Sequence, residues 1–185
     1  MGEKSLSSSE VRGNSSTEER LSSSSAEISS SSEVSVFSSS SLAEWEDYCL
    51  EVVNAYRATE GTAPLVRASV ERESCTVEQA SSDMADNSAH GHFGDCNENA
   101  QNTGPNINTK WYGTEKAIVD AYVSMMWEDE KALVTNGERD PDNSSDYPYI
   151  GHYLNMRSAS YTSLACGIAY SSDGSKAWFN MNFYR

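Results

Sequence analysis

The first apolar run of this chain has the period of an amphipathic helix. Between residues 43 and 59, apolar and aromatic side chains recur at the i, i+3, i+4 and i+7 positions of one helical face, namely Trp45, Tyr48, Cys49, Val52, Val53 and Tyr56. Gly61 follows, and glycine commonly ends a helix because it adopts the left-handed backbone found there. The pattern predicts a first helix over residues 43–59.

A second helix is predicted from Ser69, whose hydroxyl suits a helix amino terminus, to about Asn87. Its inward face is thin and consists of Val77, Ala80, Met84 and Ala85. Thr114 is the corresponding cap of a third helix, in which apolar residues repeat at helical spacing to about Leu133 at positions 118, 121, 122 and 125. Trp127 and Glu130 lie three residues apart on it and therefore share a face.

The last part of the chain changes to a strand-like pattern. Aromatic and aliphatic residues are concentrated in three short runs, 151–156, 164–170 and 177–184. The last two flank Ser172-Asp173-Gly174-Ser175, which is a strong hairpin signal. The polar stretches 101–113 and 135–147 are predicted to be loops. Helices first and antiparallel strands last predict an α+β fold.

Composition divides the chain of 185 residues into two parts. Residues 1–41 are about half serine and cannot bury enough apolar surface to offset the entropy of ordering, so we expect a disordered linker before a domain at 42–185. Deleting the linker should leave the melting temperature nearly unchanged. The net charge of −15 disfavours nucleic acid and anionic membrane surfaces as partners.

The four cysteines, Cys49, Cys75, Cys96 and Cys166, form no C-x-x-C pair, which disfavours a zinc ribbon or a redox motif. They predict two disulfides in a secreted protein and four buried thiols in a cytosolic one, and the serine-rich spacer ahead of a compact domain favours secretion. No run of eighteen apolar residues exists, which predicts no transmembrane segment. We expect a secreted, monomeric protein whose signal peptide is absent from this chain.

Candidate chemistry is concentrated in residues 88–102. This stretch holds His90, His92, Cys96 and Glu98, while the third histidine of the chain, His152, lies far downstream. Imidazoles and carboxylates that converge in a cleft can hold Zn²⁺ or transfer protons. The alternative is a hydrogen-bonded polar cluster that shapes the cleft and catalyses nothing.

Several motifs together resemble one family. Gly151-His152-Tyr153, followed by Cys166-Gly167 before a terminal strand, is similar to the signature of the CAP superfamily, also called the SCP domain, of cysteine-rich secretory, antigen 5 and pathogenesis-related 1 proteins. Three more stretches match in the family's order: Asn54-Ala55-Tyr56-Arg57, Glu98-Asn99 and Trp127-Glu128-Asp129-Glu130-Lys131. The resemblance covers residues 42–185. It implies a three-layer α-β-α sandwich with an antiparallel central sheet.

The resemblance also implies a cleft with two histidines and two acidic residues. Carried onto this sequence, they are His90 or His92, Glu98, Glu130 and His152. We favour His90 because Ala89-His90 begins a stretch that resembles the bacterial motif Ala-His-x-x-Phe-Gly-x-Cys. Asn97-Glu98-Asn99 replaces the commoner Gly-Glu-Asn. We expect His152 to lie on a strand or its edge, facing Glu98 and Glu130.

Two functions follow. The first is a secreted CAP-type binding protein whose cleft holds a divalent cation, Zn²⁺ or another, and takes a lipid, a sterol or a cell-wall component. The alternative is a metal-dependent hydrolase or peptidase that uses the same cleft, with His90, Glu98, Glu130 and His152 as the candidate catalytic residues.

Four cysteines allow three pairings. Cys49 lies on the first helix and Cys75 early in the second, so we expect a bridge between them that joins the two helices. Cys96 with Cys166 would then tie the histidine-rich stretch to the strand after His152.

Overall fold

Within residues 39–185, the structure contains five α-helices and four β-strands. The computed structural model describes the backbone of residues 39–185 and side chains from Glu44 onward, so the predicted linker lies, up to residue 38, outside the described residues. The helices are α1 (Ser39–Thr59), α2 (Val70–Asp86), α3 (Glu115–Ser124), α4 (Glu130–Thr135) and α5 (Tyr147–Arg157). The strands are β1 (Val66–Arg67), β2 (Ala100–Asn108), β3 (Ser163–Tyr170) and β4 (Lys176–Tyr184).

The strands form one sheet in the order β1-β3-β4-β2. Strands β2, β4 and β3 pair antiparallel, as expected, and the short β1 adds a parallel pair at the edge, which makes the sheet mixed. The predicted hairpin joins β3 to β4, and Gly174 supplies its left-handed backbone, with φ of 68°. The α+β class is therefore confirmed.

Helices cover both faces of the sheet. Strand β4 places Phe179, Met181 and Phe183 in the large apolar cluster that it shares with α1, α3 and α5. Its alternate residues, Asn180 and Asn182, donate to side chains of α2 on the opposite face. This arrangement is the predicted α-β-α sandwich, with one apolar face and one largely polar face.

Local capping signals set both ends of α2 and the start of α3. Ser69 Oγ accepts a hydrogen bond from Arg72 N, and Asn87 takes the left-handed conformation at the carboxyl end of α2. Thr114 caps α3 by accepting from Ala117 N. However, the predicted inward face of α2 is partly wrong. Ala85 is exposed, and the buried side chains include Thr76, Gln79 and Asp83, because the sheet offers them polar partners.

The third predicted helix continues to Thr135 but contains a π-helical turn at Met125–Asp129. A π-helical turn pairs residue i with residue i+5, so it contains more residues than an α-helical turn and shifts the buried face of the helix. As a result, Met125 is exposed while Met126 and Trp127 are buried. Glu130 begins α4 directly after this turn.

Two predicted elements are of the wrong type. Residues 151–156 belong to helix α5 and not to a strand, since Pro148 favours a first helical turn and Ile150, Tyr153 and Met156 bury one helical face. Most of the predicted loop 101–113 is strand β2. Gln101, Asn102 and Thr103 are buried there among polar partners that the local sequence does not reveal.

Both expected disulfides exist, but their predicted pairing is wrong. Cys49 is bonded to Cys166 and Cys75 to Cys96. Because α1 and α2 pack on opposite faces of the sheet, the sheet lies between Cys49 and Cys75. Cys166 is in the apolar cluster that also contains Cys49. The second bridge ties α2 to the loop that carries the two neighbouring histidines.

Candidate functional site

A cleft of about 540 Å³ opens between the α2–β2 loop and α5. His90 and His152 both line it, so the fold brings these two distant histidines to one cavity. Among residues 44–185, the lining contains aromatic rings and amides but no Asp, Glu, Lys or Arg side chain; besides the two histidines it consists of Phe93, Asn99, Ala100, Gln101, Tyr147, Pro148, Gly151, Asn155 and Tyr161. The chain has a net charge of −15, yet none of these lining residues is acidic.

His152 lies on α5 and is held by one carboxylate. Its Nδ1 atom is 2.5 Å from Glu130 Oε1, and Glu130 Oε2 accepts a hydrogen bond from Tyr153 N at 2.9 Å. A carboxylate accepts, so Nδ1 carries the hydrogen. The expectation that His152 lies on a strand or its edge is wrong, because the helix places it beside the first residue of α4.

The π-helical turn that directly precedes Glu130 helps to fix its position. It buries Trp127, whose ring stacks on Tyr56 at 5.3 Å and meets the Tyr153 ring edge-on at 5.0 Å. These packed rings join α1, the turn and α5, and thereby fix the separation between Glu130 and His152.

His90 follows α2 in the loop and is held by an amide. Its Nδ1 atom is 2.8 Å from Gln101 Oε1 on β2. Its backbone has φ of 61°, in the left-handed region, which non-glycine residues seldom occupy. Such strain persists only where surrounding contacts impose it.

Glu98 is not in the lining of the cleft. Its buried carboxylate accepts hydrogen bonds from Gly94 N at 2.6 Å, Cys96 N at 3.1 Å and Gln79 Nε2 at 2.7 Å. It therefore closes the loop and does not face His152 as expected. Asn97 before it has φ of 56°, which explains why asparagine substitutes for the usual glycine here.

His92 is committed to other partners. Its Nδ1 atom is 3.1 Å from Asp95 Oδ2 and its Nε2 atom 3.1 Å from Asp86 Oδ2. These hydrogen bonds, chiefly that to Asp86, raise the pKa of the His92 ring. His92 is absent from the cleft lining, so His90 is the member of the pair that the cleft contains.

A sequence profile of the CAP: Cysteine-rich secretory protein family matches residues 50–183. The chain belongs to this family. No curated protein sequence matches it. Within residues 39–185, no helix is both long and apolar enough to cross a lipid bilayer. Membership of a secretory family and two disulfides together indicate an extracellular CAP protein.

The CAP cleft also contains residues that sequence analysis missed. The sequence pattern predicts Gln101 in a loop and gives no role to Asn155, although Asn155 follows His152 by three residues and shares a helical face with it. Asn155 donates to Asn102 Oδ1 at 2.9 Å and accepts from Tyr147 OH at 3.0 Å. Recognising α5 as a helix would have identified Asn155.

Proposed function

We propose that this CAP protein is secreted, binds an extracellular ligand in the cleft, and uses His90 and His152 to hold a divalent metal ion there. One observation carries the proposal: both rings line the same cavity and both are held through Nδ1. Along the described part of the chain, no hydrogen bond involves Nε2 of either ring. Histidine metal ligands are commonly anchored through the other ring nitrogen in this way.

The donor set suits Zn²⁺ in part. Two imidazoles are ordinary zinc ligands, and zinc supplies Lewis acidity when bound. However, residues 44–185 contain no group of three His, Cys, Asp or Glu side chains arranged to hold a metal ion. Glu98 and Glu130 are occupied by backbone, amide and imidazole donors. Water or the ligand itself would therefore supply the remaining donor atoms.

Away from the two histidines, the lining suits an uncharged part of a ligand. Phe93, Tyr147 and Tyr161 offer apolar surface, while Gln101 and Asn155 offer amide groups. A sterol, a neutral lipid or a neutral cell-wall saccharide combines an apolar face with hydroxyl or carbonyl groups that such side chains can bind. Binding assays with a sterol and with a neutral cell-wall saccharide, repeated with Tyr147→Ala, would distinguish these classes.

Zinc titration by calorimetry tests the metal site. We expect His152→Ala and His90→Ala each to weaken zinc binding at neutral pH much more than His92→Ala. His92 is the matched control because it lies in the same loop and has both ring nitrogens hydrogen-bonded outside the cleft. If His92→Ala has the largest effect, the assignment of His90 is overturned.

One observation favours a second function, a metal-dependent hydrolase or peptidase. The Glu130 carboxylate and the His152 ring form a short pair beside the cavity, an arrangement that orients an imidazole for proton transfer at Nε2. Hydrolase screening of the wild type and of Glu130→Gln, with and without a chelator, tests this function. Activity that is lost in the variant and with the chelator would support it.

We also propose the division of the chain into a linker at residues 1–41 and a domain at 42–185. The family match at 50–183 falls inside that domain. Because α1 begins at Ser39, the test removes only residues 1–38 of the linker and compares melting temperatures with the full chain. A difference of many degrees would contradict the proposal.

A further inference from the structure

A chain of buried amides connects Glu98 to His90. Gln79 on α2, Gln101 on β2 and Asn182 on β4 form what we call the amide relay, and all three are at most 5% exposed. Gln79 is bonded to Glu98 at one end, and Gln101 is bonded to His90 at the other.

The direction of every hydrogen bond in the amide relay follows from its ends. Gln79 Nε2 faces two groups that only accept, the Glu98 carboxylate at 2.7 Å and the carbonyl of His92 at 2.6 Å. Rotating the Gln79 amide would set oxygen against oxygen at both contacts. Gln79 Oε1 must therefore point the other way, where it accepts from Gln101 Nε2 at 2.8 Å and Asn182 Nδ2 at 2.7 Å.

The orientation of Gln101 follows in turn. Its Nε2 atom donates to Gln79 Oε1 and to Asn182 Oδ1, the latter at 3.1 Å. Asn182 is held from its other side because Thr76 donates its own hydroxyl hydrogen to Arg72 O and so accepts from Asn182 Nδ2. Only Gln101 Oε1 is left to face His90, and it requires a donor.

We infer that the amide relay, anchored at Glu98, is a positioning device that holds neutral His90 as the Nδ1–H tautomer with the Nε2 lone pair available to the cleft. Gln101 makes the contact, Gln79 orients Gln101, and Glu98 orients Gln79. The inference rests on the proposed function only for the role of Nε2 as a ligand to the metal ion. It gives Glu98 an influence on the site although its carboxylate is not in the cleft lining.

Nitrogen NMR of the histidine rings tests the tautomer directly. The spectra are recorded on metal-free, ¹⁵N-labelled full-length chain at about two pH units above the ordinary imidazole pKa of about 6.5. The chain has three histidines, so His92→Ala and His152→Ala assign the signals. We expect the Nδ1–H form of His90 to exceed the Nε2–H form by about tenfold, as one hydrogen bond of ordinary strength would give. A majority of Nε2–H in the wild type overturns the inference.

Three substitutions test the relay step by step. Gln101→Leu should make Nε2–H, the form that free histidine prefers, the major tautomer of His90. Gln79→Met should reduce the excess of Nδ1–H by several-fold, and Glu98→Gln should reduce it less, because the His92 carbonyl still orients Gln79. Glu78→Gln is the matched control, since Glu78 is exposed on the same helix. An unchanged tautomer ratio in folded Gln101→Leu and Gln79→Met overturns the inference.

The two proposals fail separately. Because the tautomer is measured without metal, absence of zinc binding contradicts the proposed function and leaves the relay intact. If Glu98→Gln does not fold, Gln79→Met still cuts the relay while Glu98 keeps its hydrogen bonds to Gly94 N and Cys96 N. A zinc affinity that falls in Gln79→Met but not in Glu78→Gln would connect the relay to the site.

Discussion

The two sides of the cleft hold their histidines in the same way by different means. The His152 wall, formed by α4 and α5, uses one short contact with the Glu130 carboxylate. The His90 wall, formed by the α2–β2 loop and β2, uses the neutral amide relay and a disulfide. In both cases Nδ1 is occupied, so the ring is fixed.

The difference concerns how support is distributed. One charged group holds His152, and removing it removes most of the support. One hydrogen bond to Gln101 holds His90, but several neutral hydrogen bonds hold Gln101, so a loss behind Gln101 is shared by the remaining partners. Substitutions should therefore act sharply at Glu130 and at Gln101, and gradually at the amides behind Gln101.

The largest effect should come from the disulfides. Replacing Cys49 and Cys166 by serine should lower the free energy of unfolding by about 5 kcal/mol, and replacing Cys75 and Cys96 by about 3 kcal/mol, since the bridges close 117 and 21 residues of chain. Urea unfolding measures both. Only the replacement of Cys75 and Cys96 should alter the NMR signals of the His90 ring. An equal change of these signals in both double variants would refute the role of the Cys75–Cys96 bridge in the His90 wall.

Next is Glu130→Gln, which tests the His152 wall. Losing the charged partner of the His152 ring should weaken zinc binding about 10- to 100-fold, as measured by calorimetry. Glu128→Gln is the control because Glu128 lies two residues earlier and is exposed. The His90 tautomer should not change in Glu130→Gln. If it does, the two walls are coupled and the comparison fails.

A smaller effect is expected from the loop backbone. Asn97 is exposed and has a left-handed backbone, so Asn97→Ala should cost about 1 kcal/mol of unfolding free energy. Asn97→Gly should change it by only a few tenths of a kcal/mol. Urea midpoints compare the three proteins. Equal stability of the alanine variant would show that the loop tolerates another conformation.

The smallest expected effect is a pH dependence of the free energy of unfolding, caused by the Lys131–Glu60 ion pair. Lys131 donates to Glu60 at 2.9 Å, and this interaction lowers the pKa of the Glu60 carboxyl. A depressed pKa in the folded state stabilises the protein above the ordinary value of 4.5, and that stabilisation is lost as pH falls through the folded value. The deficit of Glu60→Gln relative to wild type should therefore be present at neutral pH and fade below pH 4.5.

Urea unfolding across this pH range measures the Glu60 effect, and Glu51→Gln, an exposed site on α1, is the control. A deficit that grows on acidification would have the wrong sign.

Several features could be predicted from sequence because their signals are local. The caps Ser69, Asn87 and Thr114 act on backbone groups within one helical turn, and the 172–175 hairpin connects adjacent strands. The motifs around Glu98, Glu130 and His152 indicated the family, and the match at 50–183 confirms it.

Polar residues misled the prediction wherever their partners are distant. Gln101 and Asn102 resemble loop residues, yet they are buried in β2 because Gln79, Asn155 and Asn182 satisfy them. The same partners bury the polar face of α2. Composition alone cannot distinguish an amide facing water from an amide facing another amide, since both are satisfied.

Sequence by itself determined the family, the class of fold, both ends of α2, the start of α3, and the candidate histidines, because each depends on neighbouring residues or on a contiguous motif. Only the tertiary structure decided that Cys49 pairs with Cys166, that His152 lies on a helix beside Glu130, and that Glu98 acts inside the loop. These outcomes depend on which elements share a face of the sheet. That choice is made by packing between segments far apart in the chain, where no local pattern carries the information.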